Sequence, residues 1–428
     1  MLTAERTISG ISDMAETLIG SEIIKLANDI NELIRNGAAI SNLTIGDFDP
    51  AVFPIPEALL QQIIEAYRQG HTNYPVASGM PELRKTVSRF IQRTQQLDYS
   101  SEEILITGGA RPAIYGIYKT LVDPGDMVIY PVPSWNNNHY CHLALANGVM
   151  IETLSDHYFM PEATQLKPYI TKARLIALCS PLNPTGTVFN QNQLAGICEL
   201  VLEENERRKK EKTKPLYVLY DQVYSALLFS GVKHYDPVSL FPEMRHYTLF
   251  VDGISKSFAA TGIRVGWAFG PEYIINRMGA ILSHVGAWAP RAEQIAVTAF
   301  LNNSSDVDTF LNRFRQAINM RLQGFYRGFQ TLKAKGYPVE CIAPQAAIYL
   351  TVKFDLKGKK NADGNLLQQQ SDVTAYLLKE AAIALVPFSA FGSSSHSPWY
   401  RLSVGTWKSP DEIPAMIEKM DKALSRLH

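Results

Sequence analysis

The chain has 428 residues, 46% of them hydrophobic and 19% charged, and its 41 Lys and Arg balance its 41 Asp and Glu. That length allows two or three ordinary domains with large cores, and the composition excludes a disordered chain. There is no basic excess to make a nucleic-acid footprint, and no apolar run reaches the length of a membrane span.

In chain order, residues 1–20 carry Glu5, Arg6, Asp13 and Glu16 and lack the apolar core of a secretory leader. Apolar Ile23, Ile24, Leu26, Ala27, Ile30 and Leu33 then predict a helix over 21–36, with Gly37 as its stop. A short apolar run at 43–45 leads into a turn over 46–50. Further helices are expected at 56–68 and at 81–95, the second opened by Pro81. From Ile104 short apolar runs alternate with helical stretches, at 104–107, 127–130, 150–153, 175–179, 217–220 and 247–251. That rhythm predicts an α/β domain with a mostly parallel sheet. The charge cluster 207–214 reads as a solvated helix end and loop. A long helix is expected from about 310 to 335, then apolar runs at 347–352, 384–386 and 400–404, a polar loop over 361–370 and a closing helix from Pro410. This part reads as a smaller α+β domain, with the first 40–60 residues packed on it. Cys141, Cys179, Cys198 and Cys341 form no CxxC pair, which suits a reducing compartment and, with no leader, a cytoplasmic protein.

In an open α/β sheet ligands bind at the carboxyl ends of the strands, and the unusual residues of this chain fall there. Gly108-Gly109-Ala110 opens a helix after a strand, either a plain turn or a cradle whose amides attract a phosphate. The Thr107-Gly108 pair with Tyr115-x-x-x-Lys119 has the outline of a short-chain dehydrogenase. Pro112 and Ile114 stand where that fingerprint needs glycines, however, and the Tyr-Lys pair lies in the same helix. Trp135 follows a proline-stiffened loop and is either a core residue or a plate for a planar ring. In Pro181-Leu182-Asn183-Pro184-Thr185-Gly186 the Asn183 amide is held at a strand end, able to donate to a ligand oxygen. Asp221 ends an apolar run, as a helix cap or as a carboxylate that needs a cationic partner, and Tyr224 follows three residues on. Lys256 stands just past another strand end, with Arg264 eight residues later. An amine held partly neutral there makes a Schiff base with an aldehyde. Arg401 lies inside an apolar strand, where its planar fork binds a carboxylate, either a ligand's or a structural partner's.

The order of these segments resembles the class I/II aminotransferases, the aspartate aminotransferase-like group of fold-type I pyridoxal 5'-phosphate (PLP) enzymes. The resemblance runs from Gly46 through Asn73-Tyr74-Pro75-x-x-x-Gly79-x-x-x-Leu83-Arg84 and covers about residues 40–410. It implies a seven-stranded-type, mostly parallel sheet in a large PLP-binding domain over 61–310, and a small domain of 1–60 with 311–428. It also implies that Lys256 carries the cofactor and moves a proton on the substrate. Asp221 would pair with the pyridinium nitrogen, and Tyr224 and Asn183 with the phenolic oxygen, while Trp135 would stack on the ring. Gly109, Ala110, Ser255 and Arg264 would hold the phosphate, and Arg401, aided by Gly46, the substrate carboxylate. Tyr74 would reach the site of the other subunit in a homodimer with shared sites. The implied reaction moves an amino group from an L-amino acid, with aspartate as first choice, to a 2-oxo acid such as 2-oxoglutarate by a ping-pong cycle.

Three departures bear on that expectation. Gly253 stands three residues before Lys256, where the family often has serine. Ile348 replaces an aromatic residue expected near the substrate pocket. Asn136, Asn137 and Asn138 form a polar run after Trp135 that would read a distal polar group, with Arg291 a second candidate or a plain surface charge. Alternatives are a PLP-dependent C–S β-lyase using the same residues, and a PLP-sensing regulator, which would need a DNA-binding domain.

Overall fold

The structure is a computed structural model that describes residues 10–428. The reading of 1–20 as free of a leader, and the start of the segment 1–60, fall partly on residues 1–9, outside the described residues. Ser21 caps a helix over Glu22–Arg35 by accepting from the Ile24 amide, and the helix buries Ile23 and Ile30. The short apolar run at 43–45 follows a two-residue strand, β1 (Ser41–Asn42). Helices follow at Glu57–Arg68 and at Pro81–Gln95, where the proline fills the first turn and Leu83, Val87 and Ile91 face inward.

The central sheet holds β2 (Ile104–Thr107), β3 (Met127–Val132), β4 (Asn147–Glu152), β5 (Ala173–Cys179), β6 (Tyr217–Asp221), β7 (Thr248–Gly253) and β8 (Gly266–Phe269). Its order is β2-β8-β7-β6-β5-β3-β4. All neighbours pair in parallel except β8, which runs antiparallel to β2 and β7. Apolar side chains of β2, β5, β6 and β7 are buried on both faces, as expected of strands covered by helices on two sides. Because these strands run the same way, Thr107, Cys179, Asp221 and Gly253 end along one edge of the sheet.

The long helix begins at Ser304, earlier than expected, because Asn303 caps it by accepting from the Asp306 amide, and it runs to Ala334. Its first part, Val307 and Leu311, joins the core under the large sheet. Its remainder, including Phe314, Ile318, Leu322, Phe325 and Phe329, builds a second core. That core lies on β9 (Val339–Cys341), β10 (Tyr349–Phe354), β12 (Val386–Pro387) and β13 (Trp399–Ser403), an antiparallel sheet ordered β12-β13-β10-β9. The short β11 (Ile383–Ala384) pairs with β1 and ties the N-terminal segment to this half. A helix over Gln370–Ala381 starts where the polar loop was expected to end, and the last helix covers Ile413–Leu424 after one 3-10 turn.

The charge cluster at 207–214 is not simply solvated. Arg208 is buried at the end of the helix Gln191–Glu211. Its guanidinium donates to Glu204 Oε1 (2.5 Å) and to the carbonyls of Ala173 (2.7 Å), Ile170 (3.0 Å) and Lys214 (3.1 Å). The helix end closes over backbone carbonyls that need donors, and a buried arginine supplies them. No helix of the described residues is long and apolar enough to cross a membrane.

Candidate active site

A cavity of about 590 Å³ opens at the carboxyl edge of the large sheet, between the two cores. Lys256 lies on its wall, in the single helical turn Ile254–Ser257 that follows β7. Its amine donates to the Gly46 carbonyl (2.7 Å) and stands 3.9 Å from Asp47 Oδ1. Burial lowers the amine to about 8; Arg401, Arg111 and Arg264 push the same way, and Asp47 opposes them. A neutral fraction is thus present near neutral pH.

Asp221 ends β6 and faces the same cavity. Burial raises its carboxyl to about 6, against the Val223 amide, which donates to it (3.2 Å). No cation of the described residues lies within ion-pair distance of it, so a buried acceptor waits on the cavity wall. Tyr224, three residues on, is buried, and its hydroxyl pairs with that of Tyr349 (2.5 Å). Asn183 sits on a loop pinned to β10: the Ala346 amide donates to the Gly186 carbonyl (3.0 Å) and Thr351 Oγ1 to the Thr185 carbonyl (2.8 Å). Its side-chain oxygen accepts from Arg401 Nη1 (3.1 Å), which leaves its NH₂ as the free donor.

Arg401 is 1% exposed on β13. Its Nη2 donates to the Thr44 carbonyl (2.6 Å), its Nε has no partner, and it stacks over Tyr349 and Phe391 at 4.7 and 4.9 Å. Among the described residues no carboxylate pairs with it, which removes the structural ion pair and leaves a buried cation open to an anion.

The turn after β2 is shaped by close approach. Gly109 has φ +94°, and a Cβ there would lie 2.4 Å from Arg264 Nη2. A Cβ on Gly266 would lie 2.6 Å from the Gly109 carbonyl carbon. Arg264 donates to the carbonyls of Gly108 (2.7 Å) and Thr261 (2.9 Å). The Gly109 amide donates to the Thr107 carbonyl (2.7 Å), so the donors left for an anion are those of Ala110 and Arg111, at the start of the helix Ala110–Leu121. Ser255 lines the cavity beside them. Gly253 has a steric cause: a Cβ there would lie 2.8 Å from the Gly266 Cα, on the neighbouring strand.

Trp135 also lines the cavity, with Arg111 5.4 Å over its ring. Of the asparagine run only Asn137 lies on this cavity, and its side chain is engaged with Ser134 and Tyr118, both at 3.3 Å. Asn136 and Asn138 face a neighbouring groove with Ile19 and Phe391. Ile348 is buried in the second core rather than on the cavity; its neighbour Tyr349 takes the cavity side because successive strand residues alternate. Tyr74 is 82% exposed, edge-on to Trp288 at 5.7 Å, and Arg291 starts the helix Arg291–Asn302; neither lines the cavity.

Three contributors are not visible in the sequence pattern. Arg111 has no hydrogen-bond or ion-pair partner among the described residues and projects its charge into the cavity. Its position in a helix start reads as an ordinary surface cation. Tyr349 is hidden inside an apolar run. The helix Glu22–Arg35 covers the cavity mouth with Ile23, Ile24 and Ala27, and only the folded chain brings it there.

The family model described as Aminotransferase class I and II matches residues 39–419. An aspartate aminotransferase of Rhizobium meliloti (strain 1021) is 30% identical over 410 residues, covering 95% of this chain and 94% of that protein. An aspartate/prephenate aminotransferase of Thermus thermophilus is 28% identical, covering 97% of this chain and 99% of that one. The crystal structure of the aspartate aminotransferase from Rhizobium meliloti superposes with a TM-score of 0.85 at 28% identity, covering 98% and 99% of the two chains. That of the Thermus thermophilus aspartate aminotransferase with maleate superposes at 0.84 and 26% identity, covering 97% and 100%.

Proposed function

The chain belongs to the class I and II aminotransferases, PLP-dependent enzymes of fold type I, and on that premise we propose that it takes the amino group of a dicarboxylic L-amino acid, aspartate first, and passes it to a 2-oxo acid such as 2-oxoglutarate. The observation that carries the substrate reading is one cavity holding a lysine amine lowered to about 8 and two guanidiniums, Arg401 and Arg111, free of carboxylate partners. Two fixed cations suit a substrate with two carboxylates. The similar Thermus thermophilus enzyme is described with maleate, a dicarboxylate, which supports this choice.

The residues present fit the cofactor: the glycine turn lets the Arg264 guanidinium close against it beside the free Ala110 and Arg111 amides, and Asp221 is a buried acceptor without a cation. Bound PLP supplies an electron sink for the bond broken at the substrate Cα. Lys256 would hold it through its amine and then move the proton between Cα and the C4′ position. Asp221 would face the ring nitrogen, whose positive charge favours the ionised carboxylate. Tyr224 and the free NH₂ of Asn183 would donate to the phenolic oxygen, and Trp135 would stack on the ring. The Ala110 and Arg111 amides, Ser255 and Arg264 would hold the phosphate, with Gly109 letting Arg264 close on the turn. Arg401, with the Gly46 amide, would clamp the α-carboxylate and set the Cα–H bond across the ring plane. The same clamp serves both halves of a ping-pong cycle, in which one 2-oxo acid leaves before the other enters. Tyr74 would come from the other subunit of a homodimer. The second core is built mainly from 43–53 and 314–424, which supports a division into 61–310 and 1–60 with 311–428, and four unpaired cysteines support a cytoplasmic location.

The test is a donor panel with purified protein, PLP, 2-oxoglutarate and each common amino acid. Aspartate or glutamate should lead. A preference for aromatic or small aliphatic donors would overturn the dicarboxylic reading, and pyruvate released from cystathionine without an added 2-oxo acid would mark a β-lyase. The reconstituted protein should show a visible absorbance band that Lys256→Ala abolishes; a wild type without one would end the assignment of Lys256.

A further inference from the structure

We propose that Tyr349 is a positioning residue: its hydroxyl donates to the Tyr224 oxygen and so turns the single Tyr224 proton toward the cofactor's phenolic oxygen, coupling that contact to the Arg401 clamp. The proposal rests on the functional reading above. A phenol has one proton to donate. The Tyr224 and Tyr349 hydroxyls are 2.5 Å apart, both residues are buried, and their rings meet edge-on at 5.5 Å. If Tyr224 spent its proton on Tyr349, it would have none for a ligand. The direction of that one bond therefore decides what Tyr224 can do.

The surroundings favour donation from Tyr349 to Tyr224. Arg401 lies 4.7 Å from the Tyr349 ring centroid, and its charge favours acidity there. Burial raises both phenols; Arg401 and the bond to Tyr224 then pull Tyr349 back, whereas Tyr349 pushes Tyr224 further up, only partly offset by Arg401. The more acidic hydroxyl is the better donor. The other groups facing the pair are Asp47, which works against Tyr349, Cys179, which faces both, and Lys256, whose amine is 6.0 Å from the Tyr224 ring. The Tyr349 hydroxyl also lies beside Gly46, where an added Cβ would come within 3.0 Å of it. The bond thus joins β10 to the segment that follows β6, on the wall of the cavity.

The test reads the visible band of the reconstituted protein against pH. A donor to the phenolic oxygen favours the form in which that oxygen bears the full negative charge, so losing the donor moves the midpoint up. Tyr349→Phe keeps the ring under Arg401 and leaves the Tyr224 donor in place, so it should raise the midpoint by roughly a few tenths of a unit, the polarisation that the lost Tyr349 bond gave to Tyr224. Tyr224→Phe should raise it further, and the double variant should match Tyr224→Phe alone, because Tyr349 acts through Tyr224. An unchanged midpoint in Tyr349→Phe, or shifts that simply add, would overturn the proposal. Should Tyr349→Phe not fold, difluorotyrosine placed at position 349, a stronger acid of nearly the same size, should move the midpoint down; no shift, or an upward one, would overturn it. A wild type with no band overturns the functional reading and this proposal with it, whereas a titrating wild type with an unmoved Tyr349→Phe overturns this proposal alone.

Discussion

Asp252 shows what a buried charge does to this site before any ligand binds. It lies at the end of β7, 3% exposed, and accepts from the Gly253 amide (2.7 Å) and more weakly from Ser225 Oγ (3.4 Å). Burial raises its carboxyl from 3.8 to about 7, and the Asp221 charge adds to the rise. A group raised on folding contributes most below its unfolded value, and that contribution is lost as pH climbs through the folded value. The apoprotein should therefore lose stability between about pH 4 and pH 7 from this residue. Asp252→Asn, nearly the same shape and never charged, should unfold later than the wild type by an amount that grows over that window and is flat above it. By linkage the gain at pH 8 is on the order of 1–4 kcal/mol. Thermal melts of both apoproteins across the range would show it, and a gain that does not change with pH would contradict the argument.

At the level of elements, backbone contact rather than side-chain chemistry fixes where the anion cradle sits. Strand β8 crosses directly behind the turn at Gly109, and a Cβ on Gly266 would meet backbone atoms at 2.6 and 2.8 Å. Backbone cannot yield as a side-chain tip does, so Gly266→Ala should cost roughly 1–3 kcal/mol of overpacking and also displace the turn. The expected result is a lower melting temperature of the apoprotein and loss of bound PLP on gel filtration. Gly279→Ala, in the helix Glu272–Val285 away from the cavity, where an added Cβ would meet only the tip of Leu105 at 3.5 Å, should change neither. The same crossing explains what the sequence can tell. Strands β2 to β7 stand out because each apolar run is followed by turn or site residues. By contrast, β8 hides in Val265-Gly266-Trp267-Ala268-Phe269, close behind Lys256 and Arg264, where small and aromatic residues give no clear period. Lys256, Asp221, Asn183, Trp135 and Arg401 can be picked out because polar residues at the ends of, or inside, apolar strands need a reason. Arg111 and Tyr349 cannot, since a cation at a helix start and a tyrosine in a strand are ordinary until the fold aims them at one cavity.

At the scale of the whole molecule, the proposed homodimer has an exposed apolar surface near the site to pack on. Tyr74 is 82% exposed and leans on Trp288; Tyr67, Val76 and Val285 are also about half-exposed or more, and Tyr67 bonds Glu293 (2.8 Å). Exposed apolar side chains of this kind suit a partner surface. Trp288 in turn borders the glycine turn: a Cβ on Gly108 would lie 3.3 Å from its carbonyl. The proposed homodimer with Tyr74 serving the partner's site can therefore be tested by complementation. A Tyr74→Ala subunit keeps its own Lys256, and a Lys256→Ala subunit keeps its own Tyr74. If the sites are shared, a dimer of one of each contains one intact site and one doubly broken site. Purified heterodimers, isolated by two affinity tags, should recover roughly half the transamination of the wild-type dimer, one working site of two. The Lys256→Ala homodimer should show none, and the Tyr74→Ala homodimer should hold PLP weakly. If each site used its own Tyr74, the heterodimer would have one site without the tyrosine and one without the lysine. Its activity would then be half that of the Tyr74→Ala homodimer, so the two arrangements give opposite orderings of heterodimer and Tyr74→Ala homodimer.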